Sequence, residues 1–306
     1  MLTESRHEAG ESVDAGTAPR RGASVRVREI VDADLEAVVA LLTRGFSFRD
    51  HHYWRRGLQR QAMRPRPDGR PGFGYCLDCD GTPVGVLLLL FAEVLAGAER
   101  VIRANVSSWY VEPEFRAFGS LLVRAATRDK TVTYFNITPA PHTWLQVEAQ
   151  GFSVYCKGQI YAALALSKPV RHATVRRLAE VMPAGLTCFE IDLLQQHAAF
   201  GCLSLVVRDG DSAHPFVFQK HYVKRLVPVC RLLYCRDMGD LERFAGNIGR
   251  FLARHGGALL VRLDANGSSS RLTGWYSDQR GRKYAKGPHP PRLGDLAFTE
   301  AALFDS

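Results

Sequence analysis

The sequence predicts an α/β protein of the α+β type, built as two tandem domains, each a mixed, mostly antiparallel twisted sheet flanked by helices. Three observations carry this. Residues 105–135 (NVSSWYVEPEFRAFGSLLVRAATRDKTVTYF) read as strand, turn, helix, strand. Their β-branched and aromatic start suits a pleated surface, and Pro113 ends it by removing an N–H and biasing Glu112 away from helix. Phe118, Leu121, Leu122 and Ala125 then fall on one helical face, and residues 132–135 return as a parallel neighbour. Residues 71–94 form a hairpin about Asp80-Gly81. The second half repeats the first: Tyr155-Cys156-Lys157-Gly158 recurs as Tyr284-Ala285-Lys286-Gly287, Asn136 as Asp264 and Gly119 as Gly249, at offsets of 129, 128 and 130.

In chain order, residues 1–23 are aperiodic and read as a disordered leader. Residues 25–30 alternate as a first strand, and Asp32 and Asp34 open a helix with Leu35, Val38, Val39 and Leu42 on one face. Residues 46–61 crowd Asp50, His51, His52, Tyr53, Trp54, Arg55 and Arg56 between helical signals; an amphipathic surface helix with Trp54 buried is the plain alternative to a binding wall. The second strand of the hairpin is almost wholly apolar, as for a strand covered on both faces, with Glu93 at its far end. Asn136 and the turn TPAPH precede a helix over 143–150 that stops at Gly151. Strands at 152–157 and 159–166 close the first domain, 24–168; the second, 169–306, carries a hairpin (203–207, 215–223), a strand (229–235), a helix (241–255) and a strand (258–263).

Composition bounds the rest. A chain of 306 residues with 46% hydrophobic content suits two cores. No run approaches the ~20 apolar residues of a membrane span, and no signal-peptide core is present. Seven Cys, an odd number without a framework, read as reduced thiols in a cytoplasmic protein. Cys76 and Cys79 sit at an odd spacing that turns them to opposite strand faces, which disfavours a metal site. The net charge of +9 fits an anionic cofactor or an acidic carrier protein. The absence of a zinc finger, an RNA-binding strand signature or a long Lys/Arg run argues against nucleic acid.

Backbone amides from Arg116 to Ser120 fall at a helix start, beside the positive end of its dipole, an arrangement that binds phosphate. The order PEFRAFGSLLVRAA resembles the coenzyme A loop of the GNAT N-acetyltransferase superfamily, Gln/Arg-x-x-Gly-x-Gly/Ala after a strand. Arg116 and Gly119 match its first two positions, and Leu121 stands at the third. The strand and acidic helix at the start, and the run from Asn136 to Gly151-Phe152, are similar to the same family. The resemblance implies two tandem GNAT-like domains, the second degenerate. It implies acetyl-CoA or another acyl-CoA as donor, held by Tyr110, Val111, Arg116, Ala117, Phe118, Gly119, Ser120 and Asn136, and a small-molecule or peptide acceptor met by Asp50, His51 and Trp54. An amine or hydroxyl would attack the thioester directly, its carbonyl polarised by a strand N–H near Tyr110 or Val111.

Candidates for the base are His142, Glu93, Glu112 and the His51/His52 pair. The family's usual tyrosine position is Val147 here, so Tyr155 or Tyr134 would have to protonate the thiolate. A turn histidine and a strand-end glutamate are the plain alternatives for His142 and Glu93. The second half lacks Arg-x-x-Gly at its strand-to-helix turn, places Gly246 and Gly249 inside its helix, and carries Asp237 and Asp240 where a diphosphate would sit. Cofactor binding is therefore expected in the first half. Two other classes stay open: a non-catalytic binding or structural protein, and a transferase that uses acyl carrier protein or aminoacyl-tRNA as donor. A long-chain donor, with Trp109, Phe115 and Phe118 along its channel, is a third variant.

Overall fold

The computed structural model describes residues 24–97, 99–223 and 227–304, so the expectation of a disordered leader lies outside the described residues. The first stretch of chain runs β1 (Val25–Glu29), α1 (Leu35–Gly45), α2 (His51–Ala62), β2 (Gly74–Cys79), β3 (Thr82–Ala96), β4 (Glu99–Val111), α3 (Gly119–Ala126), β5 (Thr133–Asn136), α4 (Trp144–Ala149) and β6 (Ser153–Cys156). It continues through β7 (Gly158–Ala162), β8 (Thr174–Arg177), α5 (Cys188–Ala199), β9 (Leu203–Asp209), β10 (Ser212–Val223), β11 (Val227–Cys235) and α6 (Met238–Gly256). It ends with β12 (Leu260–Ala265), β13 (Gly274–Ser277), β14 (Lys283–Lys286) and α7 (Glu300–Leu303). Two seven-stranded sheets result, ordered β1-β2-β3-β4-β5-β14-β6 and β13-β7-β12-β11-β10-β9-β8. Among the described residues only β4–β5 and β11–β12 pair in parallel and the other strand pairs are antiparallel, so the chain forms two mixed α/β units.

Local chemistry explains most of this. Asp80 and Gly81 take φ of 49° and 90°, the two positive values a tight hairpin turn needs. Along β3, Val86, Leu88 and Leu90 pack into the cluster beneath α1 and α2. Leu87, Leu89 and Phe91 face the opposite cluster with α3, and this two-sided burial is why the strand reads as one apolar run. Gly246 and Gly249 sit inside α6 because residues 164–169 lie against them: an added Cβ would stand 2.4 Å from the Ser167 carbonyl and 2.1 Å from the Ala165 nitrogen. Among the described residues no helix is long and apolar enough to cross a membrane.

Two expectations need correction. Residues 113–118 wind as 3-10 turns before α3 starts, which advances the helical phase, so Gly119, Leu122, Val123 and Ala126 are the buried face. Leu121 is left 49% exposed. The strand expected at 159–166 to close the first sheet is β7, followed by a 3-10 turn at Leu164–Leu166, and it joins the second sheet beside β12 and β13. In return β14 enters the first sheet between β5 and β6, pairing Tyr284 with Asn136 and with Val154. The two similar segments around Tyr155 and Tyr284 thus become neighbouring antiparallel strands, and our proposed division at 168/169 is crossed by one strand in each direction.

Buried polar ties accompany the exchange. Lys283 at the start of β14 reaches Asp264 at the end of β12 at 2.6 Å, both side chains almost fully buried. Arg103 of β4 holds Asp295 through two bonds of 2.9 and 2.8 Å. His197 of α5 is fully buried, with Nδ1 2.8 Å from the Leu193 carbonyl and Nε2 accepting the Phe298 N–H at 3.1 Å. Burial pulls its pKa from 6.5 to about 4. The unfolded chain therefore binds the extra proton first as pH falls below 6.5, and stability is lost between there and about 4. We expect a loss of up to about 3 kcal/mol across that window from this group. Urea unfolding at pH 7, 5.5 and 4.5 checks it; a His197→Asn variant should show the shallower profile.

Candidate active site at the fork between strands four and five

β4 and β5 pair only at Arg103↔Thr133, Ala104↔Tyr134 and Asn105↔Phe135. Beyond that point β4 continues to Val111 bonded to β3 alone, and the two parallel strands part company. Asn105, fully buried, holds the base of the fork: its Nδ2 donates to the carbonyls of Phe135 (3.2 Å) and Val106 (3.1 Å). Just past it, β4 bulges. Pairing steps from Leu88↔Ser107 to Val86↔Tyr110, so Ser108 and Trp109 oppose one residue of β3, and Ser108 takes φ of 49°. Such a bulge re-aims backbone groups and is a strained position for a non-glycine residue.

A carboxylate that sequence reasoning missed spans the fork. Glu300, first residue of α7, receives hydrogen bonds from the Ser107 and Thr138 hydroxyls, one from each side, while its N–H donates to Asn105 Oδ1 at 2.7 Å. It is buried. The available signal was its place in LAFTEAALF, residues 296–304: a single charge in an otherwise apolar run must be partnered if the run is buried. The chain then passes under α2, where the Phe304 ring lies so close to Gly57 that a Cβ there would be 2.1 Å from it. Phe304 also sits 5.9 Å from the Trp54 ring.

The expected phosphate corner is tighter than anticipated. Phe115 N–H bonds the Glu112 carbonyl at 2.9 Å and Gly119 N–H bonds the Arg116 carbonyl, so the amide of Gly119 is already taken. Gly119 is buried against Trp109, whose ring an added Cβ would meet at 3.3 Å; the glycine serves packing. Arg116, Ala117 and Ser120 are exposed, Phe118 is half-buried, and Val111 is buried. Tyr110 is half-buried and stacks on Gly45 at the end of α1. Asn136 accepts the Thr138 N–H at 3.3 Å and shapes the turn that brings Thr138 to Glu300.

The base candidates scatter. Glu93 pairs opposite Ile102 because β3 runs antiparallel to β4, which puts it at the wrong end of the strand. At ~3.3 Å per residue it lies roughly 30 Å from Val111, ion-paired with Arg100. Glu112 is held by Arg44 at 2.6 and 3.0 Å. His142 is exposed in the 3-10 turn Pro141–Thr143, on the connection that begins with Thr138. Tyr155 buries its hydroxyl without a hydrogen-bond partner, and burial pushes its pKa well above 10. Tyr134 is buried likewise and pushed up to about 12.

On the expected acceptor wall, Asp50 caps α2 by accepting the Tyr53 N–H at 2.7 Å. His51 is exposed, 3.9 Å from Glu36. Trp54 is core, packed 5.4 Å from Phe46. Asp50 and Trp54 therefore have structural places, whereas His51 and His52 face solvent together with Arg55, Arg56 and Gln59 of that helix.

The second half has the matching fork, and its own chain fills it. β11 and β12 pair from Val229↔Leu260 to Arg231↔Arg262 and then diverge. Residues 294–296 run alongside the free end of β11: Cys235 N–H bonds the Gly294 carbonyl at 2.9 Å and Leu296 N–H the Leu233 carbonyl at 2.7 Å. Asp237 caps α6, and Asp240 holds His214 at 2.8 Å, so acidic groups occupy that helix start.

Two mixed sheets, each with one parallel strand pair that forks, superpose as a whole fold on solved structures. The chain has the GNAT fold. A GCN5-related N-acetyltransferase from Anabaena variabilis superposes with a TM-score of 0.57 at 13% identity, covering 86% of this chain and 72% of that one. One from Kribbella flavida gives 0.54 at 15% identity, covering 88% and 72%. No protein-family model and no curated protein matches the sequence, so the likeness is one of fold. Within the GNAT fold, the fork filled by residues 294–296 belongs to the second unit and the fork spanned by Glu300 to the first.

Proposed function

We propose that the chain is an acyltransferase that moves an acyl group, probed first as acetyl, from acyl-CoA to an amine or hydroxyl of a small-molecule or peptide acceptor in the first unit. The observation that carries this is the carboxylate of Glu300 held across the mouth of the β4–β5 fork, beside the bulge at Ser108. In this proposal the pantetheine arm lies between β4 and β5. Arg116 and the α3 start, where the amides of Ser120 and Leu121 precede the first i→i−4 bond, hold the diphosphate. Backbone N–H groups at the bulge, two residues earlier than expected from sequence, polarise the thioester carbonyl.

Glu300 takes the proton as the acceptor's nitrogen or oxygen bonds to the carbonyl carbon. The carbon–sulfur bond breaks, and that proton passes to the departing thiolate directly or through water. All seven thiols are unpaired, in keeping with a reducing compartment, the cytoplasm.

Arg116→Ala with Ser120→Glu tests the placement, since both side chains are exposed. Coenzyme A affinity should weaken at least about tenfold, the worth of one lost charge-assisted contact plus a repulsive charge, with an unchanged melting temperature. Unchanged affinity refutes it. A non-catalytic binding protein is the second reading, favoured by the 3-10 winding that consumes the Gly119 amide; a folded chain that neither binds nor turns over acetyl-CoA would establish it. Turnover only with acylated carrier protein, falling steeply with salt, would move the donor to that class.

A further inference from the structure

A cleft of about 580 Å³ opens at the end of the first sheet where Glu93 lies. Its walls are residues 92–95 of β3, Arg100 of β4, residues 64–67 after α2, α5 from its cap at Thr187 to Gln196, and Phe298. The size is that of a small-molecule site.

Arg64 is the unusual group there. It is only 9% exposed. Its Nε has no hydrogen-bond partner, and its Nη1 and Nη2 make only long contacts of 3.4 Å to the carbonyls of Phe298 and Phe91. The guanidinium lies 5.5 Å from the centre of the Phe298 ring. The cleft's two carboxylates are committed elsewhere, Glu93 to Arg100 and Asp192 to the Gln196 amide at 2.8 Å. Burial lowers the Arg64 pKa to about 10, which still leaves it a cation at neutral pH. A buried cation without an anion is costly unless one is supplied. Val94 and Leu95 from β3, Phe189 from α5, and Pro65 and Pro67 give the cleft an apolar side, while Arg66 and Arg100 add two further cations to its lining.

We propose that this cleft binds an amphipathic monocarboxylate of the fatty-acid class, its carboxylate on Arg64 and its chain along Val94, Leu95 and Phe189. The cleft's lining includes none of the fork residues Asn105, Ser107, Ser108, Thr138 or Glu300, and the proposal does not rest on the acyl-transfer reading. A planar guanidinium matches a carboxylate through parallel N–H bonds, and apolar walls pay no desolvation cost against a hydrocarbon chain.

The full chain offers a built-in reporter. Cys188 lines the cleft and is the exposed thiol among the described cysteines. Dodecanoate below its micellar concentration is the probe. It should bind saturably at one site per chain in calorimetry and slow alkylation of Cys188 by iodoacetamide. Dodecanol and dodecyltrimethylammonium, with the same chain and no anion, should do neither. Arg64→Met, which keeps an apolar side chain in the buried position, should weaken dodecanoate at least about tenfold and leave coenzyme A affinity unchanged. Leu95→Glu, at an exposed wall position, should do the same if the first variant fails to fold. Non-saturable uptake, equal binding of dodecanol, unprotected Cys188, or undiminished affinity in the folded variant overturns the proposal.

Discussion

Glu300→Gln is expected to lower kcat/KM for acyl transfer by roughly 10²–10⁴-fold, the range that general acid–base catalysis supplies. The substitution is chosen because glutamine has nearly the same volume and a carbonyl oxygen that can still accept from the Ser107 or Thr138 hydroxyl. The Glu300 N–H that bonds Asn105 is backbone and survives. What disappears is the ability to take a proton. Coenzyme A affinity and unfolding midpoint should therefore stay close to those of the unmodified chain, and the loss should fall on kcat. A parallel fall in coenzyme A affinity would instead make Glu300 a strut of the fork. His142→Ala, on the exposed connection after β5, is the control, and its expected loss is less than tenfold.

Lys283→Met is expected to destabilise the chain by about 3–5 kcal/mol, the penalty for leaving one partner of a buried ion pair uncompensated. Lys283 is 1% exposed and donates to Asp264 at 2.6 Å and to the Gly281 carbonyl at 2.9 Å. Because β14 lies in the first sheet and β12 in the second, the pair ties the exchanged strand to the unit it came from. Adding Asp264→Leu should recover most of the loss, since two apolar groups bury without an orphaned charge. Urea midpoints of the single and double variants measure both values. A loss below about 1 kcal/mol in the single variant would mean that water reaches Asp264.

The sequence showed local structure far better than partners. Asp80-Gly81 and the β4–α3–β5 unit are set by turn chemistry and short-range periodicity, and both stand where they were placed. The helical face went wrong by one position because six residues of 3-10 winding precede α3. The destination of β7 was illegible for a different reason. A strand's pattern records that it will be covered, and the segments around Tyr155 and Tyr284 are similar enough to serve either sheet. Glu93 was misplaced although the information was present: a hairpin that returns antiparallel to β4 must end where β4 begins. Glu300 was invisible as a site residue because its partners lie 193 and 162 positions away.

That a thioester carrier enters the first fork and not the second is tested most directly by amide hydrogen exchange with and without coenzyme A. The expected result is slowed exchange in residues 106–121 and 136–140, with residues 233–241 unchanged because residues 294–296 already occupy their edge. Slowed exchange confined to residues 233–241, or none anywhere at saturating ligand, would contradict it.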